Sequence, residues 1–101
     1  EFKVMLLNRA NKVIGVYEAS SGGLTGTVAD PRLILAVAIK SLAVSIILSH
    51  NHPSGNLKPS RADEELTQKI KVAASYHDIK VIDHIIITSE GYYSFADEGL
   101  L

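Results

Sequence analysis

The run of residues 44–48 constrains the fold most, because only Ser45 interrupts its apolar character. An apolar run of this length predicts a strand that is buried in the middle of a sheet. A helix is predicted before it, with Asp30 as N-cap and Pro31 at the first helical position. It extends to about residue 42 and is apolar nearly all round, which predicts a buried helix. A second helix is predicted after it, from Ser60 to about residue 76. A buried strand between two helices predicts an α/β fold.

Strand-like composition also marks both ends of the chain. Residues 2–7 and 13–17 predict a β-hairpin, because turn-forming residues 8–11 lie between them. A loop is predicted at residues 20–23, before the strand-like segment at residues 24–28. The expected fold is therefore one α/β domain over residues 1–101, with a mixed β-sheet flanked by helices. The additional strand segments are residues 2–7, 13–17, 24–28, 79–88 and 92–95.

Composition excludes several classes of function. The chain has no cysteine, which rules out disulfides and thiolate chemistry and agrees with a reducing, cytoplasmic location. Ten Lys and Arg against eleven Asp and Glu give a net charge of −1, and no basic run indicates nucleic-acid binding. The longest apolar runs are too short to span a membrane. The chain begins at Glu1 in a strand-like run, and we interpret it as a domain of a longer protein.

The loop after the buried strand carries the residues with the clearest chemistry. His50 and His52 are two positions apart, so in an extended chain their side chains point to the same side. Asp63 lies in the first turn of the next helix and adds a carboxylate. Two imidazoles and a carboxylate suit zinc, and three protein ligands leave the fourth tetrahedral position open for water. Taken alone, however, Ser60 and Asp63 also match a capping box, which needs no catalytic explanation.

The same residues resemble the JAMM signature of MPN (JAB) domains, in which H-x-H-P is followed by six residues, a Ser, two further residues and an Asp. The resemblance to the bacterial RadC family is closer and covers essentially the whole chain. It implies an MPN/JAMM fold (cytidine-deaminase-like) and a Zn²⁺ ion held by His50, His52 and Asp63. The matching segments are residues 50–55, 59–63 and 83–84, with Gly26-Thr27-Val28 and Ser94-Phe95.

The resemblance also implies roles for residues around the ion. Ser60 corresponds to the residue that hydrogen-bonds the water or the transition-state oxyanion. Glu1 stands just before the first strand, where the family places its general base, and we prefer it to Glu18 at the end of the second strand. Asp83 and His84 fall on opposite faces of a strand, so they do not form a dyad. For His84 we predict a structural role at a strand edge rather than a fourth metal ligand.

The expected function is that of a zinc-dependent metallopeptidase or isopeptidase, acting on a peptide or protein substrate. The alternative is a non-catalytic MPN scaffold, or a binding module associated with DNA repair, although only the family name points to repair. A nuclease or phosphodiesterase would need cationic groups at the site, and only Lys58 and Arg61 are at hand. Exposed strand edges at either end of the chain leave room for a homo-oligomer.

Overall fold

A computed structural model describes residues 1–20 and 29–101 of the chain. The strand predicted at residues 24–28 and most of the preceding loop lie outside the described residues, as does Gly26-Thr27-Val28. No helix within the described part of the chain is long and apolar enough to cross a membrane. The elements, in chain order, are β1 (Phe2–Leu7), β2 (Val13–Ser20), α1 (Pro31–Lys40), β3 (Ser45–Asn51), α2 (Arg61–Ser75), β4 (Lys80–Thr88) and β5 (Gly91–Ser94).

The five strands form one mixed sheet in the order β2-β1-β3-β4-β5. Strand β1 runs antiparallel to both β2 and β3, whereas β3 and β4 are parallel and β5 returns antiparallel to β4. The crossover between the two parallel strands contains α2. The predicted α/β fold with a mixed sheet is confirmed, and β3 is its central strand.

Both helices pack on the same face of the sheet and contact each other. Alternate residues of the strands face them, such as Val4 in β1 and Ile46 and Leu48 in β3, all with no exposed surface. They meet Ile34 of α1 and Ile70 of α2, which are also fully buried. This single core accounts for the period-two pattern of β1 and for the apolar stripe of α2.

The starts of the helices follow the prediction, but the end of α1 does not. Asp30 accepts a hydrogen bond from Arg32 N (2.9 Å) as N-cap, and Pro31 opens the helix. The helix ends at Lys40, two residues before the predicted end, because Leu42 takes a left-handed conformation (φ 60°) and Ala43 N donates to Ala38 O. This is the hydrogen-bonding pattern of a Schellman turn without the usual glycine.

Two further predictions need correction. Helix α1 is not buried all round, since Leu33 and Ile39 are 52% and 43% exposed, because the sheet covers only one of its faces. His50 does not begin a loop but lies within β3, which continues to Asn51. The strand is longer because it is paired on both sides, with Phe2 opposite His50 in β1 and Ile86 opposite it in β4.

Candidate metal centre

Three side chains converge where β3 ends and α2 begins. His50 Nε2 lies 2.9 Å from His52 Nε2 and 3.3 Å from Asp63 Oδ1, and His52 Nε2 lies 3.1 Å from Asp63 Oδ2. Each residue offers one ligand atom within 4.8 Å of the other two, so the cluster could hold a metal ion. These are the three residues that the sequence singled out as metal ligands.

The loop after β3 bends back on itself and fixes the second histidine. His52 N donates to Ile87 O of β4 (3.0 Å), and Gly55, with φ 84°, donates to His52 O (3.0 Å). This turn brings Asn56 O to 2.7 Å from His52 Nδ1. A carbonyl oxygen can only accept, so Nδ1 carries the proton of the neutral ring. The lone pair of His52 is therefore on Nε2, the atom that faces His50 and Asp63.

The N-terminus of α2 orients the carboxylate. Ser60 N donates to Asp63 Oδ2 (2.8 Å), and Asp63 N donates to Ser60 Oγ (3.0 Å), which completes a capping box. Partial burial opposes the charge of Asp63, but the Ser60 hydrogen bonds and the neighbouring histidines outweigh it and lower the pKa of this carboxyl. The carboxylate is thus held in its charged form, with Oδ1 left towards His50.

The ring of the first histidine packs against β1. The His50 ring stacks on Phe2 of β1 at a centroid distance of 5.6 Å, and its side chain is 12% exposed. Burial lowers the pKa of His50, although Asp63 acts in the opposite direction. A neutral imidazole is the form that binds a metal.

His84 lies behind His50, and its environment differs from the prediction. It belongs to the interior strand β4 rather than to a strand edge, and it is fully buried. Its Nε2 is 2.8 Å from His50 Nδ1, and its Nδ1 is 2.5 Å from Thr67 Oγ1 in α2. Burial, together with the neighbouring His50, lowers the pKa of His84 to about 3, so the ring is neutral. Sequence reasoning missed Thr67, whose position on the inner face of α2 was the available signal.

Asp83 and His84 take opposite faces of β4, as alternation requires. The Asp83 carboxylate accepts hydrogen bonds from the Ser94 hydroxyl (2.6 Å) and from Ala96 N (3.0 Å). It thereby ties β4 to β5 and to the turn that follows. Its Oδ1 also accepts from His84 N (2.7 Å), but Asp83 does not belong to the group of His50, His52 and Asp63.

Ser60 and the two glutamates occupy different surroundings. Ser60 is joined to the cluster through Asp63, and its hydroxyl proton remains available to another acceptor. Glu1 is adjacent to Phe2 in the chain, but its half-exposed carboxylate lies 4.0 Å from Lys3 Nζ. Glu18 pairs with Lys3 across β1 and β2 and is exposed. Glu1 and His50 line the same cavity of about 210 Å³, but within the described residues no hydrogen bond or ion pair joins either glutamate to the His50, His52 and Asp63 side chains.

The donor set fits a divalent cation that prefers mixed nitrogen and oxygen ligands. Ligands at 2.0–2.1 Å from a tetrahedral zinc lie roughly 3.3 Å apart. The two Nε2 atoms are 2.9 Å apart, and each lies close to a different oxygen of the carboxylate, His50 at 3.3 Å from Oδ1 and His52 at 3.1 Å from Oδ2. A groove of about 370 Å³ borders the cluster on the loop side, between His52 and Ser60. It offers an approach to the ligand atoms from outside.

Comparison with known proteins shows a similarity that covers nearly the whole chain. A family model described as a RadC-like JAB domain matches residues 1–100. The UPF0758 protein of Flavobacterium johnsoniae is 50% identical over 100 residues, which cover 99% of this chain and 44% of that protein. The UPF0758 protein of Porphyromonas gingivalis is 49% identical over 102 residues, which cover 100% of this chain and 45% of that protein.

A more distant relative gives the same picture. The UPF0758 protein STH371 of Symbiobacterium thermophilum is 44% identical over 101 residues, covering 100% of this chain and 43% of that protein. The chain thus spans less than half the length of these relatives. The predicted resemblance is confirmed, and the chain belongs to the family of RadC-like JAB domains.

Proposed function

We propose that this domain is a zinc-dependent hydrolase of the metallopeptidase or isopeptidase class, with water as its nucleophile. The observation that carries the proposal is the convergence of His50 Nε2, His52 Nε2 and the Asp63 carboxylate. Membership of the JAB family supports it. The substrate is then a peptide or protein, and the absence of cysteine agrees with a cytoplasmic site of action.

The three ligands leave one position of a tetrahedral ion open, as in catalytic rather than structural sites. When bound there, zinc supplies a Lewis acid for the scissile carbonyl and lowers the pKa of a coordinated water to about 7. The chain contributes fixed ligand orientations. The Asn56 carbonyl holds the His52 ring, and the Ser60 N–H holds one oxygen of Asp63.

Ser60 is the proposed donor to the reacting oxygen. Its Oγ accepts from Asp63 N as helix cap, so its own proton can be donated to the oxygen of the scissile carbonyl as negative charge develops. It borders the groove of about 370 Å³ beside His52, where a substrate carbonyl would enter. One residue thus serves both the helix start and the transition state.

Glu1 is the proposed general base. It would take the proton of the attacking water and pass it to the leaving amine as the C–N bond breaks. Its carboxylate lies 4.0 Å from Lys3 Nζ. For this role it must turn towards the face of the sheet that carries Phe2 and His50. The carboxylate is 53% exposed, so little packing opposes this rotation.

Metal analysis combined with a hydrolysis assay tests the proposal. We expect one zinc per chain, and cleavage of members of a peptide library that stops with chelator and returns with zinc. His52→Ala should lose both zinc and hydrolysis, whereas His77→Ala, an exposed histidine outside the cluster, should lose neither. Stoichiometric zinc without hydrolysis of any peptide or isopeptide substrate would favour the non-catalytic binding module. Absence of zinc from the wild-type protein after loading would refute the proposal.

A further inference from the structure

A buried chain of hydrogen bonds leads from the backbone of α2 to the inner nitrogen of His50. Thr67 Oγ1 lies 2.7 Å from Asp63 O and 2.5 Å from His84 Nδ1. His84 Nε2 in turn lies 2.8 Å from His50 Nδ1. This chain of hydrogen bonds therefore begins at Asp63 and ends at His50, two residues of the candidate metal centre. Neither Thr67 nor His84 is itself part of the three-ligand cluster.

The Asp63 carbonyl at one end of this chain of hydrogen bonds determines which atom donates and which accepts in each of them. The Asp63 carbonyl can only accept, so the single hydroxyl proton of Thr67 is donated to it. Thr67 Oγ1 must then accept from His84 Nδ1–H, which leaves His84 Nε2 of a neutral ring as an acceptor. The partner of that acceptor is His50 Nδ1, which therefore carries the proton of His50. The lone pair of His50 is left on Nε2.

The surroundings keep water from altering this arrangement. His84 is fully buried and Thr67 is 1% exposed. The His84 ring is stacked on Phe95 at a centroid distance of 4.6 Å and meets Phe2 edge-on at 5.5 Å. The hydrogen bond between Thr67 and His84 is buried and the two beside it are partly buried, so solvent competes little with them and one set of proton positions is favoured.

We propose that Thr67 and His84 are positioning residues that fix the tautomer of His50, so that its Nε2 lone pair points at the metal. Outer hydrogen bonds of this kind set the tautomer and ring orientation of histidine ligands. Asp63 then contributes twice, since its side chain is a ligand and its carbonyl anchors the chain. The effect on metal binding rests on the proposed function, but the tautomer of His50 does not.

The first test measures zinc affinity by competition with a chromophoric chelator. His84→Leu removes the acceptor for His50, and Thr67→Val removes the hydroxyl without changing the shape of the side chain. Each should weaken zinc binding by about 10–100-fold. His84→Gln, which can place an amide oxygen near the former Nε2, and Thr67→Ser, which keeps the hydroxyl, should retain most of the affinity. Ile70→Val is the matched control, because Ile70 is fully buried in the same helix and has no polar group.

The second test needs no metal. NMR spectra of the metal-free wild-type protein, labelled with nitrogen-15 in its histidines, distinguish a protonated from an unprotonated ring nitrogen. We expect His50 to carry its proton on Nδ1, and this preference to be lost in Thr67→Val. A wild-type His50 protonated on Nε2 would overturn the proposal, as would folded His84→Leu and Thr67→Val variants that bind zinc as tightly as Ile70→Val. If the wild type binds no zinc, the proposed function fails, while these spectra still decide the tautomer.

Discussion

Asp63 is the residue on which the candidate site depends most, because it has partners in three directions. Its two oxygens face His52 and His50, its carboxylate accepts from Ser60 N, and its carbonyl accepts from Thr67. A shift of this residue therefore moves a helix cap, a ligand and a buried hydrogen bond together. At the residue scale, the start of α2 and the candidate metal centre are one structure.

The buried histidine makes stability depend on pH. Burial lowers the pKa of His84 from 6.5 to about 3, so between these values the unfolded chain binds a proton that the folded chain does not. The free energy of unfolding of the metal-free protein should therefore decrease as pH falls from about 6.5 towards about 3. His50, whose pKa is also lowered, acts in the same direction. Urea denaturation at a series of pH values, with chelator present, measures this slope.

His84→Leu provides the comparison for this slope. Without the imidazole, the dependence on pH above 4 should flatten. The lowered pKa of Asp63 does not interfere there, because its stabilising effect is present above the unfolded value of 3.8 and is lost only at lower pH. Equal slopes in the wild type and His84→Leu would show that His84 does not cause the effect.

Glu1 is the proposed general base, and an isosteric substitution tests that role. Glu1→Gln keeps the shape of the side chain and removes its basicity, so we expect unchanged zinc content and loss of most hydrolysis. Glu18→Gln is the matched control, since Glu18 is exposed and pairs with Lys3 on the far side of β1. Metal analysis and initial rates on the two variants test the assignment, and a loss of activity confined to Glu18→Gln would reverse it.

Strand β3 carries His50 and leads directly into His52, so its packing matters to the site. Ile46 is fully buried between β1 and β4 under the helices. Ile46→Ala should lower the free energy of unfolding by about 2–5 kcal/mol, because it leaves a cavity in the core. Ile47→Ala changes the neighbouring, partly exposed residue on the other face and should cost less. Chemical denaturation measures the free energy of unfolding of both variants. Equal decreases would contradict the placement of Ile46 in the core.

The start of α2 gives a second prediction at the scale of the element. Ser60→Ala removes the hydroxyl that accepts from Asp63 N in the capping box and should lower the free energy of unfolding by about 1 kcal/mol. It should also lower the hydrolysis rate by roughly 10²–10³-fold if the hydroxyl assists the reacting oxygen. Ser60→Thr keeps the hydroxyl and is the control. Normal turnover by a destabilised Ser60→Ala would leave Ser60 only its role as cap.

Local signals predicted the starts of elements better than their ends. Asp30 and Ser60 are caps that act within three residues, so the sequence identifies them directly. The end of β3 depends instead on pairing with β1 and β4, whose residues are distant in the chain, as Phe2 and Ile86 opposite His50 illustrate. Helix α1 ends where Leu42 adopts the left-handed conformation. Leucine rarely does so, and the sequence therefore contains no sign of this end.

At the scale of the whole molecule, the same distinction explains what was predicted of the site. His50, His52 and Asp63 fall within one short stretch with a specific spacing, so the sequence sufficed to bring them together. His84 meets His50 only through the pairing of β3 with β4, and Thr67 reaches His84 only through the packing of α2 on β4. Their hydrogen-bonded chain could not be predicted from spacing, because it depends on the parallel pairing of β3 with β4.

A ligand held by β3, the following loop and α2 should stabilise the domain as a unit. With free zinc at 100 times its dissociation constant, we expect a gain of about 2.7 kcal/mol in the free energy of unfolding. Calorimetry with zinc and with chelator measures it as a shift in Tm. His52→Ala, which lacks one ligand, should show little shift, and a comparable shift in that variant would locate the zinc elsewhere.

The parallel pair β3–β4 also has a consequence for the order of folding. The hairpin of β1 and β2 closes over a short turn, whereas β4 can join β3 only after the crossover through α2 has been made. Contacts between residues far apart in sequence form slowly, since more chain entropy is lost before they are rewarded. His50 meets His84 across 34 residues, so its proton is fixed only at that late stage. We therefore expect a chain emerging during synthesis to reach its full affinity for the proposed metal last, after β4 has been added to the sheet.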